Sequence, residues 1–196
     1  MNQTIRIIRD EHRSIAAVLH GLQSLAREAQ DARVRPGFDV FRAMIRYIDE
    51  FPEQMHHPKE DALLFARLGL RAPQAKDLVE DLRAEHVESA RLVRELERAL
   101  VFFEEGWPAG GADFLRTVNA YADFHWKHMK KEEEQLLPLC ERHLTAEDWR
   151  EMDAEFAANR DPIAGIREKD FETLFTRIVN LAPAPVGVGD RWQKSS

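Results

Sequence analysis

Apolar residues recur along the chain at intervals of three and four, so that each stretch between turn residues reads as one face of an amphipathic helix. The first stripe is Ile5, Ile8, His12, Ile15, Leu19, Leu22 and Leu25, and its helix ends before Pro36-Gly37. A second stripe runs Phe41, Ile45 and Ile48, passes Pro52, and continues through His56, Glu60 and Leu63 to end near Gly69. Pro52 and Pro58 each remove an amide donor and crowd the preceding turn, so this helix is expected to kink or break briefly there. Pro73 suits the first turn of a third helix. Its stripe is Leu78, Leu82, His86, Ala90, Val93, Leu96, Leu100 and Phe103, closing at Gly106. After the turn Gly106-Trp107-Pro108-Ala109-Gly110-Gly111, a fourth stripe runs Phe114, Val118, Tyr121, His125, His128, Glu132, Leu136 and Leu139, with Pro138 near its end.

Four long amphipathic helices joined by short turns predict antiparallel neighbours around a shared core. The expected fold is all-α: an up-down-up-down four-helix bundle with two short C-terminal helices. Residues 1–145 form the bundle in this reading, 146–182 a helical extension packed on the same domain, and 183–196 a flexible tail. Thr145-Ala146-Glu147-Asp148 resembles a capping box opening a helix of residues 146–158. Asp161-Pro162 marks a turn, and Phe171 to Leu181 is the last periodic stretch. No strand pattern and no internal repeat emerges.

A chain of 196 residues buries enough surface to fold without a disulfide or a structural metal, so any metal would serve function. Charged residues make up 32% and are interspersed, leaving no run of about 18 apolar residues to span a bilayer. The opening MNQTIRIIRDEHRS places acids and arginines where a secretory signal carries its apolar segment, so a cytoplasmic location is expected. The single cysteine, Cys140, excludes an internal disulfide and a thiolate metal site, and is expected to be a small buried residue. A net charge of -7 argues against nucleic acid as a partner and is compatible with a homodimer.

The chemistry is carried by the histidines. His12, His56, His86 and His128 each occupy a core-facing position, one on each predicted helix. His56 and His128 are followed one turn later by Glu60 and Glu132, on the same helical face. Two buried carboxylates need cationic partners, and a pair of metal ions would satisfy both acids and all four imidazoles. The alternative is that Glu60 and Glu132 pair with Arg or Lys, or turn to solvent. Imidazole and carboxylate without thiolate suit iron, manganese or zinc, and six ligands are too many for one tetrahedral zinc. Two irons are the economical reading. Only Glu53-x-x-His56 fits the Glu-x-x-His pattern of ferritin-like di-iron bundles, without a second copy, and no His-Glu-x-x-His motif occurs.

Other polar residues are placed by phase. On an ideal helix continued from Ile48, His57 points away from the core, although paired with Asp61 it would be an alternative to His56. His125, one turn before His128, is set behind the ligands, where it would orient a ligand, guard the pocket or bind metal itself. Tyr121, farther along that stripe, is a hydrogen-bond donor to the site or an ordinary core tyrosine. His20 and His143 are expected at the surface. In the run Lys130-Lys131-Glu132-Glu133-Glu134 only Glu132 has the inward phase.

These residues resemble the hemerythrin-like, or HHE cation-binding, family. The resemblance rests on Glu11-His12, then His56-His57-Pro58-Lys59-Glu60-Asp61, then Glu85-His86, then His128-Met129-Lys130-Lys131-Glu132-Glu133, and covers about residues 5–140. The segments around Glu147-Asp148-Trp149 and Asp161-Pro162 look like a bacterial subgroup with a C-terminal helical extension. The resemblance implies two non-haem irons joined by an oxo or hydroxo group and by Glu60 and Glu132, with His12 and His128 on one iron and His56 and His86 on the other. Oxygen-carrying members have His-x-x-x-His on the third helix, where this chain has His86 and Ala90. The implied ligands are therefore dioxygen, nitric oxide or peroxide in sensing or stress defence, rather than reversible oxygen storage. Alternatives are nitric oxide reduction or iron–sulfur repair, or a regulatory interaction module with a structural metal. Related repair proteins carry an added cysteine-bearing N-terminal domain, whereas this bundle starts near residue 5, which ranks repair lower. No catalytic residue is assigned.

Overall fold

The computed structural model describes residues 2–157, 178, 180–183 and 185–188. Four long helices form the bundle: α1 (Gln3–Asp31), α2 (residues 38–71), α3 (Lys76–Gly106) and α4 (residues 111–143). A fifth, α5 (Ala146–Ala157), follows after a short turn. Successive helices pack side by side and α4 closes the circuit on α1, while α5 lies against α1. No helix among the described residues is long and apolar enough to cross a membrane.

The apolar stripes bury as their period requires. One core cluster joins Ile15, Leu19, Leu22 and Leu25 of α1 to Phe41 and Ile45 of α2, Val93, Leu96 and Phe103 of α3, and Phe114 and Val118 of α4. A second joins Ile5 and Ile8 to Leu64, Phe65, Leu82, Leu136, Cys140 and the α5 residues Trp149, Met152 and Phe156. His12 falls between the two on α1, His86 on α3, and His128 and Glu132 on α4, so a polar layer separates two apolar ones.

Pro52 and Pro58 do not break α2. Its backbone widens instead into π-helical turns, Asp49–His56 and Glu60–Phe65, with the short α-helical His57–Lys59 between them. The His57 amide donates to the Pro52 carbonyl five residues back, so the hydrogen-bonded helix continues past Pro52 with a widened turn. Each residue advances the inward face by about 100°, so a widened turn shifts everything downstream. Leu64 and Phe65 are accordingly buried, whereas Leu63, expected on the stripe, is only partly so. A third π-turn, Glu132–Leu136, occurs in α4, where Leu137 donates to the Glu132 carbonyl. Beyond it Leu136, Leu137 and Cys140 are buried and Leu139 only partly.

The capping box forms as read from the sequence. Thr145 N and Oγ1 donate to Asp148 Oδ2 at 2.9 and 2.8 Å, and the Asp148 amide donates back to Thr145 Oγ1 at 3.2 Å. Asp148 also accepts two hydrogen bonds from Arg71, at 2.8 and 3.0 Å, tying the end of α2 to the start of α5. The Arg71 guanidinium, aided by Thr145, holds the Asp148 carboxyl well below the usual carboxylate range. Asp153 anchors α5 to α1, accepting from the Thr4 amide and hydroxyl at 2.7 Å each.

The expected turn at Asp161-Pro162 and most of the expected helix from Phe171 lie outside the described residues. Ile178 and Ala182 are buried in the bundle core. Val186 packs where α1 has Gly21: a Cβ there would meet Met44 Cε at 2.9 Å and Val186 Cγ1 at 3.0 Å.

Candidate metal centre

All four helices contribute to one buried cage. Glu60 and Glu132 are fully buried, and His12, His56, His86 and His128 nearly so. Each imidazole turns Nε2 to the carboxylates: His12 to Glu132 at 3.2 Å, His56 to Glu60 at 3.5 Å, and His128 to Glu132 at 3.4 Å. His86 Nε2 lies 3.7 Å from Glu60 and 3.8 Å from Glu132. Two overlapping sets have ligand atoms within 4.8 Å of one another: His12, His56, Glu60 and Glu132, and Glu60, His86, His128 and Glu132. Both carboxylates belong to both sets, which is the arrangement of a shared pair between two cations. In the metal-free cage the His12 ring lies against His56, 5.1 Å between centroids, and His86 against His128, 4.9 Å, a grouping that differs from the expected one.

The far edge of each ring faces a carboxylate, through a hydrogen bond for His56, His128 and His12 and at contact distance alone for His86. His56 Nδ1 lies 2.8 Å from Glu11, His86 Nδ1 3.3 Å from Asp61, His128 Nδ1 2.9 Å from Glu85, and His12 Nδ1 2.9 Å from Glu133. These contacts make a closed circuit: α1 holds a histidine of α2, α2 one of α3, α3 one of α4, and α4 one of α1. The carboxylates are sequence neighbours of cage residues: Glu11 precedes His12, Asp61 follows Glu60, Glu85 precedes His86 and Glu133 follows Glu132. Donation of Nδ1–H to a carboxylate fixes the tautomer and leaves the Nε2 lone pair for a metal. Glu133 thus has a use that its phase alone did not suggest. Asp61, expected as an alternative ligand, instead faces His86 Nδ1 from a partly exposed position.

Whether a metal fits is decided by the atoms left over. His12, His86 and His128 Nε2 and both oxygens of Glu60 and of Glu132 are buried without a hydrogen-bond partner. Leaving so many buried polar atoms unpaired would cost on the order of 1–3 kcal/mol each, and cations coordinated by them remove that cost. Residues 3–140 match the hemerythrin HHE cation-binding domain. The chain belongs to that family. No curated protein matches it.

The electrostatics of this hemerythrin domain reflect a cage built for cations. For His12, burial opposes protonation but Glu132 and Glu133 outweigh it, raising the imidazole to about 9. For His86, burial is likewise outweighed, by Asp61 and Glu132, again to about 9. Burial and the adjacent Glu132 push Glu60 well above the carboxylate range.

His57 is the clearest departure from expectation. The π-turn ending at His56 rotates the next residue inward, so His57 is buried, stacked on the His86 ring at 4.1 Å, rather than turned away from the core. His125 is also buried, and its Nε2 lies 2.8 Å from Ser89 Oγ, which donates on to Glu53. Burial, then the neighbouring imidazoles, holds His57 and His125 well below the usual histidine range, and both are neutral. Burial raises the Glu53 carboxyl to about 7. Tyr121 belongs to the core cluster with its ring 4.4 Å from His125. The cluster of Glu53, Ser89, His125 and Tyr121 is only partly visible in the sequence: Glu53 stands out there solely through its Glu-x-x-His spacing to His56, and Ser89 carries no metal-ligand signal. His20 is exposed and stacks on Trp126, and His143 lies 3.3 Å from Gln74, far from the cage.

Proposed function

We propose that this hemerythrin domain holds two non-haem irons and binds or reacts with dioxygen, nitric oxide or peroxide in sensing or stress defence. The observation that carries the reading is the convergence of four imidazole Nε2 atoms on two shared, buried carboxylates. His12 and His56 would hold one iron, His86 and His128 the other, with Glu60 and Glu132 common to both. Such a pair supplies redox-active Lewis-acid positions able to take a small diatomic ligand or peroxide.

The protein's own contribution is orientation and exclusion. Glu11, Asp61, Glu85 and Glu133 keep the imidazoles aimed inward. The apolar layers above and below, with Ile8, Ile15, Phe65 and Leu136 three to five residues from a ligand, keep bulk water out and strengthen electrostatic interactions within the cage. His125, Ser89 and Glu53 form a buried hydrogen-bonded line beside the cage that can hold a proton at Glu53. The test is metal analysis with optical spectroscopy: aerobic loading should give about two irons per chain and ferric charge-transfer absorption that shifts on adding azide. Zinc alone, or no metal after iron loading, overturns the reading.

A further inference from the structure

Each of the four carboxylates outside the cage faces a histidine on one side and a cation on the other. Glu85 accepts from His128 Nδ1 at 2.9 Å through one oxygen and from Lys131 Nζ through the other. Glu11 meets His56 Nδ1 at 2.8 Å and Lys59 Nζ at 3.9 Å. Asp61 faces His86 Nδ1 at 3.3 Å and Arg83 Nε at 3.5 Å, and its backbone carbonyl accepts from the Arg83 guanidinium at 3.1 Å. Glu133 lies 2.9 Å from His12 Nδ1 and within the field of Arg9. One rule covers all four: the cation stands three residues from the histidine on the same helix, as Arg9-x-x-His12, His56-x-x-Lys59, Arg83-x-x-His86 and His128-x-x-Lys131. Residues so spaced lie one turn apart on one face and can reach the same carboxylate on the next helix. The cation precedes the histidine on α1 and α3 and follows it on α2 and α4. Neighbouring helices run in opposite directions, so all four cations fall on one side of the histidine layer, towards Ile8, Leu82 and Leu136.

Ordinary surface pairing looks different. The exposed pair of Lys130 and Glu134 stays on one helix and ends on no histidine. Charge gives the fourfold pattern a purpose. Six carboxylates, Glu60 and Glu132 within and Glu11, Asp61, Glu85 and Glu133 without, crowd one layer, and four fixed cations offset the outer four. A carboxylate shared with a cation pulls less strongly on the imidazole Nδ1–H, so the ring offers less electron density at Nε2. We propose that Arg9, Lys59, Arg83 and Lys131 are positioning residues of the metal centre, each clamping the carboxylate behind a cage histidine and through it lowering the donor strength of that imidazole. The centre is thereby easier to reduce than the carboxylates alone would leave it.

This inference rests on the two-iron reading above, and one set of measurements separates the two. Bound iron per chain is measured by metal analysis at saturating iron, and the reduction potential of the loaded full chain by optical redox titration. Lys131→Met should raise the ratio of ferric to ferrous affinity at least threefold, a fall in potential of roughly 28 mV at 59 mV per tenfold for one electron. Lys131→Gln, which keeps a hydrogen-bond donor without the charge, should do the same, and it decides the matter if Lys131→Met fails to fold by circular dichroism. Arg83→Met should lower the potential in the same sense, through Asp61 and His86. Lys131→Arg should restore the wild-type value, and Lys130→Met should leave it unchanged. In a Glu85→Gln background Lys131→Met should shift the potential by less than half as much, because the carboxylate that carries the effect is gone. Two irons per chain with an unmoved potential in the Lys131 variants or in Arg83→Met reduce these cations to braces and overturn the inference, while the centre stands. Loss of iron in the Lys131 variants, an equal shift from Lys130→Met, or an undiminished shift in the Glu85→Gln background overturns it too. A wild-type chain that takes up fewer than two irons overturns the centre, and the inference with it.

Discussion

Helices α3 and α2 solve the same problem in opposite ways. α3 runs for 31 residues without interruption and sends one imidazole, His86, into the cage. α2 contains two prolines and two π-turns, and brings in His56, His57 and Glu60 within five consecutive positions. A regular helix returns to the same face only every three or four residues. Closer spacing of inward residues demands irregular backbone, and π-turns of this kind recur at functional sites. α4 lies between the extremes, with a single π-turn starting at Glu132. Irregularity in this bundle is concentrated at the metal layer and the turns beside it, while α1 and α3 keep the helical period.

The comparison breaks if ligands contribute equally whatever helix they come from, or if surface histidines matter as much as buried ones. The largest effect is expected from His128→Ala and Glu132→Ala, each of which should lower bound metal from about two per chain to one or none. His20→Ala and His143→Ala should leave metal content unchanged. Equal loss in all four, measured by metal analysis, would contradict the cage.

The carboxylate circuit sharpens the picture further. Glu11→Ala and Glu85→Ala remove the groups that hold His56 and His128, and each should weaken metal binding by about 10–100-fold without removing a ligand. Competition against a chelator measures this, and unchanged affinity in both would reduce the circuit to surface decoration.

Glu60→Gln should separate stability from binding. Glutamine carries no charge and ends the repulsion with Glu132 that raises Glu60. The metal-free variant should therefore be more stable to urea by about 1 kcal/mol while binding less metal. A less stable metal-free variant counts against the electrostatic account.

The pH dependence of the metal-free chain follows from His12 and His86. Their folded pKa of about 9 lies above the ordinary histidine value of 6.5, so their contribution to stability is fully present below about 6.5 and is lost as pH rises through about 9. Glu60, also raised, acts in the same direction. The urea midpoint should fall between pH 6.5 and 9.5. Metal retention should run the opposite way and fail in acid, because protons compete for the same nitrogens and oxygens. The smallest effect is expected away from the cage, where Thr145→Ala removes a cap from the regular α5 and should cost ~1 kcal/mol with no loss of metal.

Much of the molecule was legible in the chain itself. The stripes on α1 and α3 are buried nearly as their period indicates, and the box at Thr145 and Asp148 forms as its residue types require. The positions His12, His56, His86 and His128, one per helix, with Glu60 and Glu132 one turn on, were visible because a regular helix turns spacing into direction. That logic fails at the first residue beyond a widened turn, and so His57 and Leu64 face inward although His57 was expected to point away and Leu63 was expected on the stripe.

The sequence by itself determined which side chains bear chemistry and which faces are apolar, since both depend on residue type and local helical period. Only the tertiary structure decided how the histidine rings group, His12 against His56 and His86 against His128, and that Glu11, Asp61, Glu85 and Glu133 each face a ring on the next helix. Those relations depend on the level and facing of separate helices. They are set by packing of the two apolar layers and by backbone turns whose extra residue leaves no mark in the hydrophobic pattern.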